Sequence, residues 1–189
     1  MCEFVRLRVE ALRLEKPEGW DYRNAACLRT NGMRYLPHYL PRACLKKLFI
    51  CFPDPHFKAK NHRRRIVSPS LLSEYAYFLQ PEGRLYLITD VRELHDWHVN
   101  KVNGHPLFRR VPEDEAKVDI SVELMSERTE ESQKVSRCGG QKYWAVYERV
   151  RDSSEVTRIP AMLALLEEHD GGEKVGEKRQ RDGEDAVTR

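Results

Sequence analysis

The sequence contains no long apolar run: none approaches the roughly 18 residues that a membrane-spanning helix needs. Its first residues, Met-Cys-Glu-Phe-Val-Arg-Leu-Arg, lack the charged-then-apolar order of a signal peptide, so residence on the reducing side of the cell is expected. There is no Cys-x-x-Cys pair, and the five cysteines (Cys2, Cys27, Cys44, Cys51, Cys138) lie at no spacing that suits zinc. Free and mostly buried thiols are the expectation. None of the ten glycines falls into a G-x-G-x-G or G-x-G-x-x-G loop. No serine sits in a nucleophile-elbow context, which argues against a serine triad. Charge of one sign is lacking too: 33 basic residues face 30 acidic ones, for a net +3. The balance therefore selects no partner, and the distribution of charge has to be examined instead.

What is present suits one α/β domain. The 189 residues are 40% hydrophobic and 33% charged, as in a globular protein with a polar periphery. Residues 2–15 place Phe4, Val5, Val9, Leu12 and Leu14 on one broad face of a helix that ends at Pro17-Glu18-Gly19. A short apolar run at 25–29 has strand length, and a helical turn follows at Met33–Leu40. Residues 46–52 are nearly continuously apolar, which predicts a strand covered on both faces. Ser68-Pro69 supplies an N-cap and a first-turn proline for a helix carrying Leu71, Leu72, Tyr75 and Phe78. Gly83 marks its end, Arg84–Thr89 predicts a buried strand, and Val91–Val102 the next helix. Apolar strands each followed by a helix point to a parallel α/β sandwich. The period-two pattern of 142–150 adds a late strand, expected antiparallel at the sheet's end. A short helix is expected at 161–168, which closes the domain at residue 168. The glycine- and charge-rich residues 169–189 read as a disordered tail.

The densest chemistry lies at Phe52-Pro53-Asp54-Pro55-His56-Phe57-Lys58. Ligands of open α/β sheets bind beyond the carboxyl ends of the strands, where Asp54 stands. Its flanking prolines restrict the backbone and hold the carboxylate with little residual freedom. Five cations follow within eight residues: Lys58, Lys60, Arg63, Arg64 and Arg65. That density suits a phosphate backbone, because each neutralised phosphate releases counterions. A solvated helix face or an import signal is the plainer alternative. A fixed acid beside such a patch points to a nucleic-acid base as substrate. His95 and His98, three apart on a predicted helix, share a face, but no cysteine or acidic set completes a metal site, so none is expected.

The order of these residues resembles the eukaryotic branch of the tRNA (guanine-N7-)-methyltransferase family. The resemblance rests on Cys27-Leu28-Arg29-Thr30-Asn31-Gly32-Met33, on Phe52-Pro53-Asp54-Pro55-His56-Phe57-Lys58, and on Arg65-Ile66-Val67-Ser68-Pro69. It continues through Leu72-Ser73-Glu74-Tyr75-Ala76-Tyr77, Ile88-Thr89-Asp90-Val91 and Leu94-His95-Asp96-Trp97. It ends with His105-Pro106-Leu107-Phe108, Thr129-Glu130-Glu131 and Gly139-Gly140, and covers roughly residues 2–150. The resemblance implies a Rossmann-like fold that uses S-adenosylmethionine to methylate guanine N7 in the tRNA variable loop. It implies Asp54 as the catalytic acid, Asn31, Gly32 and Cys51 around the donor's adenosine, and Thr129 and Glu131 as later donor contacts. Gly32 stands where the family usually has alanine. A WD-repeat partner subunit and nuclear residence are implied as well, the latter helped little by the diluted basic motif Lys178-Arg179-Gln180-Arg181.

The family's glycine loop follows its first strand, and Met1 falls before what resembles the helix after the second. The first two strands are therefore expected to be missing. In the shared strand order the first strand separates residues 25–29 from 46–52, so its loss leaves unpaired edges. Three readings follow: a fragment of an active enzyme, a short tRNA-binding protein without the donor site, or strands supplied by another chain. The first is preferred, since the downstream site residues all stand in the sequence.

Overall fold

The computed structural model describes residues 2–15 and 22–150, all within one compact unit. The expected helix stop at 17–19, the short helix at 161–168 and the charged tail lie outside the described residues.

Helix α1 (Cys2–Glu15) forms as the apolar spacing predicts, yet none of its residues is buried. Helix α2 (Gly32–Tyr39) starts where Asn31 accepts a hydrogen bond from the Met33 amide. Between them residues 25–29 are not a strand, which corrects the expectation. A strand is defined by its ladder, and no neighbouring strand lies against this run among the described residues.

Strand β1 (Leu45–Cys51) runs parallel to β2 (Leu79–Thr89), with Ile50 opposite Leu87 and Cys51 opposite Ile88. Ser68 accepts from the Leu71 amide and begins α3 (Pro69–Phe78) as expected. β2 starts at Leu79, five residues before the expected Arg84, and absorbs an irregularity between Leu45↔Leu79 and Lys47↔Arg84. Gly83 permits it: a Cβ there would stand 2.8 Å from the Gln80 carbonyl oxygen. Glycine thus marks a bulge inside the strand rather than a break before it.

Helix α4 (Arg92–Asn103) follows, then β3 (Phe108–Arg110), α5 (Glu113–Lys117) and α6 (Ile120–Glu123). α6 runs into a π-helical turn at Leu124–Arg128, and α7 (Glu130–Arg137) precedes β4 (Tyr143–Arg149). β4 is antiparallel to β2 as expected, but it lies inside the sheet rather than at its end, because β3 pairs with it at the far edge. The sheet order is β1-β2-β4-β3.

Alternation along β2 builds two cores. Leu85 and Leu87 join Leu71, Leu72, Tyr75 and Phe78 of α3 and Val102 of α4 on one face. Tyr86 and Ile88 join Ala116, Val122 and Met125 on the other. The centre of the sheet is therefore dry on both sides, as the α/β reading requires. β1 departs from the expectation that both its faces are covered: Ile50 alone is buried, and Phe49 is 43% exposed although it stacks on Tyr86 at 4.5 Å. β1 is also the outer strand of the described sheet.

Candidate active site

The chain leaves the carboxyl end of β1 through a strained turn. The Phe52 amide still bonds to the Ile88 carbonyl at 2.9 Å, but Phe52 has φ 49° and His56 φ 46°. Left-handed backbone at bulky residues costs roughly 1–3 kcal/mol each and persists where surrounding structure enforces it, often at functional sites. Asp54 lies between these two strained residues. Its Oδ1 accepts from the His56 amide at 2.9 Å, and the His56 Nδ1 is 3.5 Å away. This side-chain-to-backbone turn orients the carboxylate while leaving it 71% exposed. The carboxylate is thus held by the His56 amide and stays open to solvent.

The basic stretch after it forms a 3-10 helix, Ala59–Arg64. Lys58, Lys60, Arg63 and Arg64 are exposed, and none takes part in an ion pair among the described residues. Arg65 is different. It is 1% exposed, donates to the Pro55 carbonyl at 2.9 Å and to Glu93 at 2.7 Å, and stacks over Trp97 at 4.8 Å. Its place among the RNA-contacting cations is therefore corrected: the end of the 3-10 helix turns it inward, where it ties the Asp54 turn to α4. Trp97 completes that tie by donating to the Val67 carbonyl at 2.8 Å.

A cavity of about 310 Å³ opens beside β1, lined by Phe49, Cys51, Ser121, Leu124, Met125 and Thr129. It brings together Cys51 and Thr129, which are far apart in sequence. Although the residue is exposed overall, partial burial of its sulfur pushes the Cys51 thiol pKa up, so it remains a neutral, weakly polar group at pH 7. Thr129 caps α7, accepting from the Ser132 amide at 3.2 Å, with its hydroxyl also 3.2 Å from the Met125 carbonyl. Glu131 is exposed on α7 and pairs with Lys134 at 3.4 Å. Asn31 lines a separate open cleft of about 670 Å³ with Arg29, Thr30, Tyr35 and Tyr39, and Gly32 follows it as the first residue of α2. Of the cofactor-binding set named from the sequence, Cys51 and Thr129 thus line one cleft and Asn31 another, while Gly32 and Glu131 line neither.

Beneath the first cavity Asp119 anchors a polar cluster. Burial raises its pKa, but hydrogen bonds from Tyr86 and Ser121 and the charge of Lys47 outweigh that and hold its carboxyl well below the usual range. Lys47 donates to Ser121 at 2.6 Å and Arg84 to Asp119 at 3.2 Å. The cluster fixes α6 against β1 and β2 and so sets one wall of the cavity. Sequence reasoning missed Phe49, Ser121, Leu124 and Met125. Phe49 was within reach, because it lies two residues before Cys51 and so on the same face of β1. The other three come from α6 and the π-helical turn, whose approach to β1 no local pattern announces. The cysteine expectation is corrected as well: Cys44, Cys51 and Cys138 are exposed and Cys2 and Cys27 partly so.

The cavity suits part of a methyl donor. Its volume is at the lower end of small-ligand sites, its walls are an aromatic ring and aliphatic chains, and its few polar groups are a thiol and hydroxyls.

Residues 5–145 match the family described as "Putative methyltransferase". The chain is 50% identical over 152 residues to a tRNA (guanine-N(7)-)-methyltransferase of Neurospora crassa, covering 80% of this chain and 52% of that protein. It is 51% identical to the protein of that name from Brugia malayi, covering 79% and 57%. For the one from Schizosaccharomyces pombe the identity is 47%, covering 79% and 56%. The chain spans about half the length of the curated relatives it matches. A match over 5–145, on an α/β sheet with an acid at the carboxyl end of a parallel strand, means that this chain belongs to that methyltransferase family.

Proposed function

We propose that the protein of which this sequence is all or part transfers a methyl group from S-adenosylmethionine to N7 of a guanine in the variable loop of tRNA. The observation that carries the reading is the exposed, oriented Asp54 carboxylate at the end of β1, followed directly by four exposed cations. The names of the relatives speak for the same chemistry and for a catalytic rather than a binding-only role.

Cys51 and Thr129, with the apolar wall of Phe49, Leu124 and Met125, would hold the donor. When bound it supplies a methyl group on a positively charged sulfur. Guanine N7 carries an exposed lone pair, so no base is needed to remove a proton before attack. What the protein has to provide is alignment, and negative charge near a base that becomes cationic. Asp54 provides both, accepting hydrogen bonds from the guanine N1 and N2 hydrogens and facing the positive charge that develops on the ring. Lys58, Lys60, Arg63 and Arg64 hold the phosphates on either side of that base. Asn31 and Gly32 at the start of α2, and Glu131 on α7, are assigned to the outer contacts with the donor. A non-catalytic WD-repeat subunit and a nuclear location complete the proposal.

The test is to purify the protein from its own cells with its partners attached and supply tRNA and isotopically labelled donor. The labelled guanine is then mapped by base-induced strand cleavage, to which N7-methylated positions are sensitive. Label at a single variable-loop guanine is expected. Label on another base, or on another atom of guanine, would overturn the reading.

A further inference from the structure

Cys2 opens α1, and Cys27 lies in the segment that leads to α2. Their sulfur atoms are 3.1 Å apart, and the Cys27 sulfur is 3.7 Å from the Cys2 carbonyl oxygen. Both residues are partly exposed and both are free thiols. The same two segments meet again at the other end of α1, where Arg13 donates to the Tyr22 carbonyl at 3.3 Å and to the Ala25 carbonyl at 2.6 Å. Residues 22–27 are thus laid along α1 with the two thiols facing each other. α1 has no buried residue, so a covalent link would restrain it far more than its packing does.

We propose that Cys2 and Cys27 form an oxidation site that closes into an intrachain disulfide when a hydroperoxide is present. One thiolate attacks a peroxide oxygen: the O–O bond breaks, a sulfenic acid forms and the released hydroxide takes up a proton as water. The second thiol then attacks the sulfenic sulfur: the S–S bond forms, the S–O bond breaks and a second water leaves. Two thiols are oxidised by two electrons, one hydrogen peroxide is reduced to two waters, and a thiol reductant reverses the reaction. A covalent S–S bond is about 2.0 Å long, so side-chain rotation supplies the remaining approach. Cys44, Cys51 and Cys138 are more exposed, yet none faces another cysteine among the described residues.

The test treats the reduced protein, purified whole from its own cells, with graded hydrogen peroxide, caps the remaining thiols and maps peptides by mass spectrometry without reduction. The Cys2–Cys27 cross-linked peptide is expected at the lowest oxidant level, before the other three cysteines change, and dithiothreitol should remove it. Amide hydrogen exchange across Phe4–Leu14 should slow severalfold in the oxidised form. Cys2→Ser and Cys27→Ser should each abolish the cross-link, while Cys138→Ser leaves it in place. In urea the preference for this pair should vanish. Oxidation of Cys2 and Cys27 no earlier than the other three, to sulfinic acid or between chains, would overturn the proposal. So would a preference that survives in urea, since native geometry would then not be its cause. The wild-type map decides the matter even if a serine variant fails to fold.

Discussion

His98 is the residue whose chemistry is most constrained by burial. It is 1% exposed, and neither ring nitrogen has a hydrogen-bond partner among the described residues. Burial first, then the nearby charges of His95 and Arg65, push its pKa down to about 4. A histidine held neutral in the fold binds its proton more readily once unfolded. Its contribution is therefore whole above about pH 6.5 and is lost as pH falls toward 4, roughly 3 kcal/mol in all. The urea midpoint should fall between pH 7 and pH 5, and His98→Leu should flatten that decline; an unchanged slope would place the acid sensitivity elsewhere. Arg65 makes a second case. Arg65→Ala should cost about 2 kcal/mol or more in denaturant unfolding, since it leaves the Pro55 carbonyl and the Trp97 face without their partner. From the sequence Arg65 looked like one cation of five. What separates it from Arg64 is the turn that ends the 3-10 helix, which composition does not encode. The place of Asp54 just past a strand end, by contrast, was legible, because the apolar run before it is local.

At the scale of elements, legibility followed the range of the cause. Ser68 announces α3 because a cap is made within three residues of chain, and Ser68→Ala should cost about 1 kcal/mol by thermal or denaturant unfolding. A loss below a few tenths of a kcal/mol would mean that Pro69 alone sets the helix start. The Thr129-Glu130-Glu131 and Gly139-Gly140 motifs resolve into the two ends of α7: Thr129 caps it, and Gly139 with φ 67° stops it as the Gly140 amide bonds back to Val135. The run at 25–29 misled because a strand needs a partner that only tertiary structure supplies. β3, three residues long, and the π-helical turn at Leu124–Arg128 are too short to show any periodicity. Yet that turn supplies Leu124 and Met125 to the cavity beside β1. The site was thus half visible: its β1 side could be read from alternation, and its α6–α7 side could not.

At the scale of the whole molecule, the described residues present their charge unevenly although the chain's net charge is only +3. Four exposed cations of the segment Lys58–Arg64 stand beside Asp54, while Arg84, Lys47 and Arg65 are consumed by internal pairs. On the proposed function, affinity for tRNA should therefore depend on salt. Arg63→Ala should shallow the slope of log affinity against log salt by about 0.7–0.9, because one phosphate is no longer neutralised. Lys117→Ala, whose cation is paired with Glu113 at 2.8 Å, should leave the slope unchanged. Equal effects from both would mean that binding is diffuse rather than centred on the Asp54 turn.

The central claim is that Asp54 acts on the guanine rather than on the grip of the tRNA, and the most direct measurement compares Asp54→Ala with wild type in the protein purified with its natural partners. Single-turnover methyl transfer and tRNA affinity are measured on the same preparations. The account predicts that methyl transfer falls by about a hundredfold or more while tRNA affinity changes much less. Equal loss of both, or methyl transfer that survives the substitution, would contradict it.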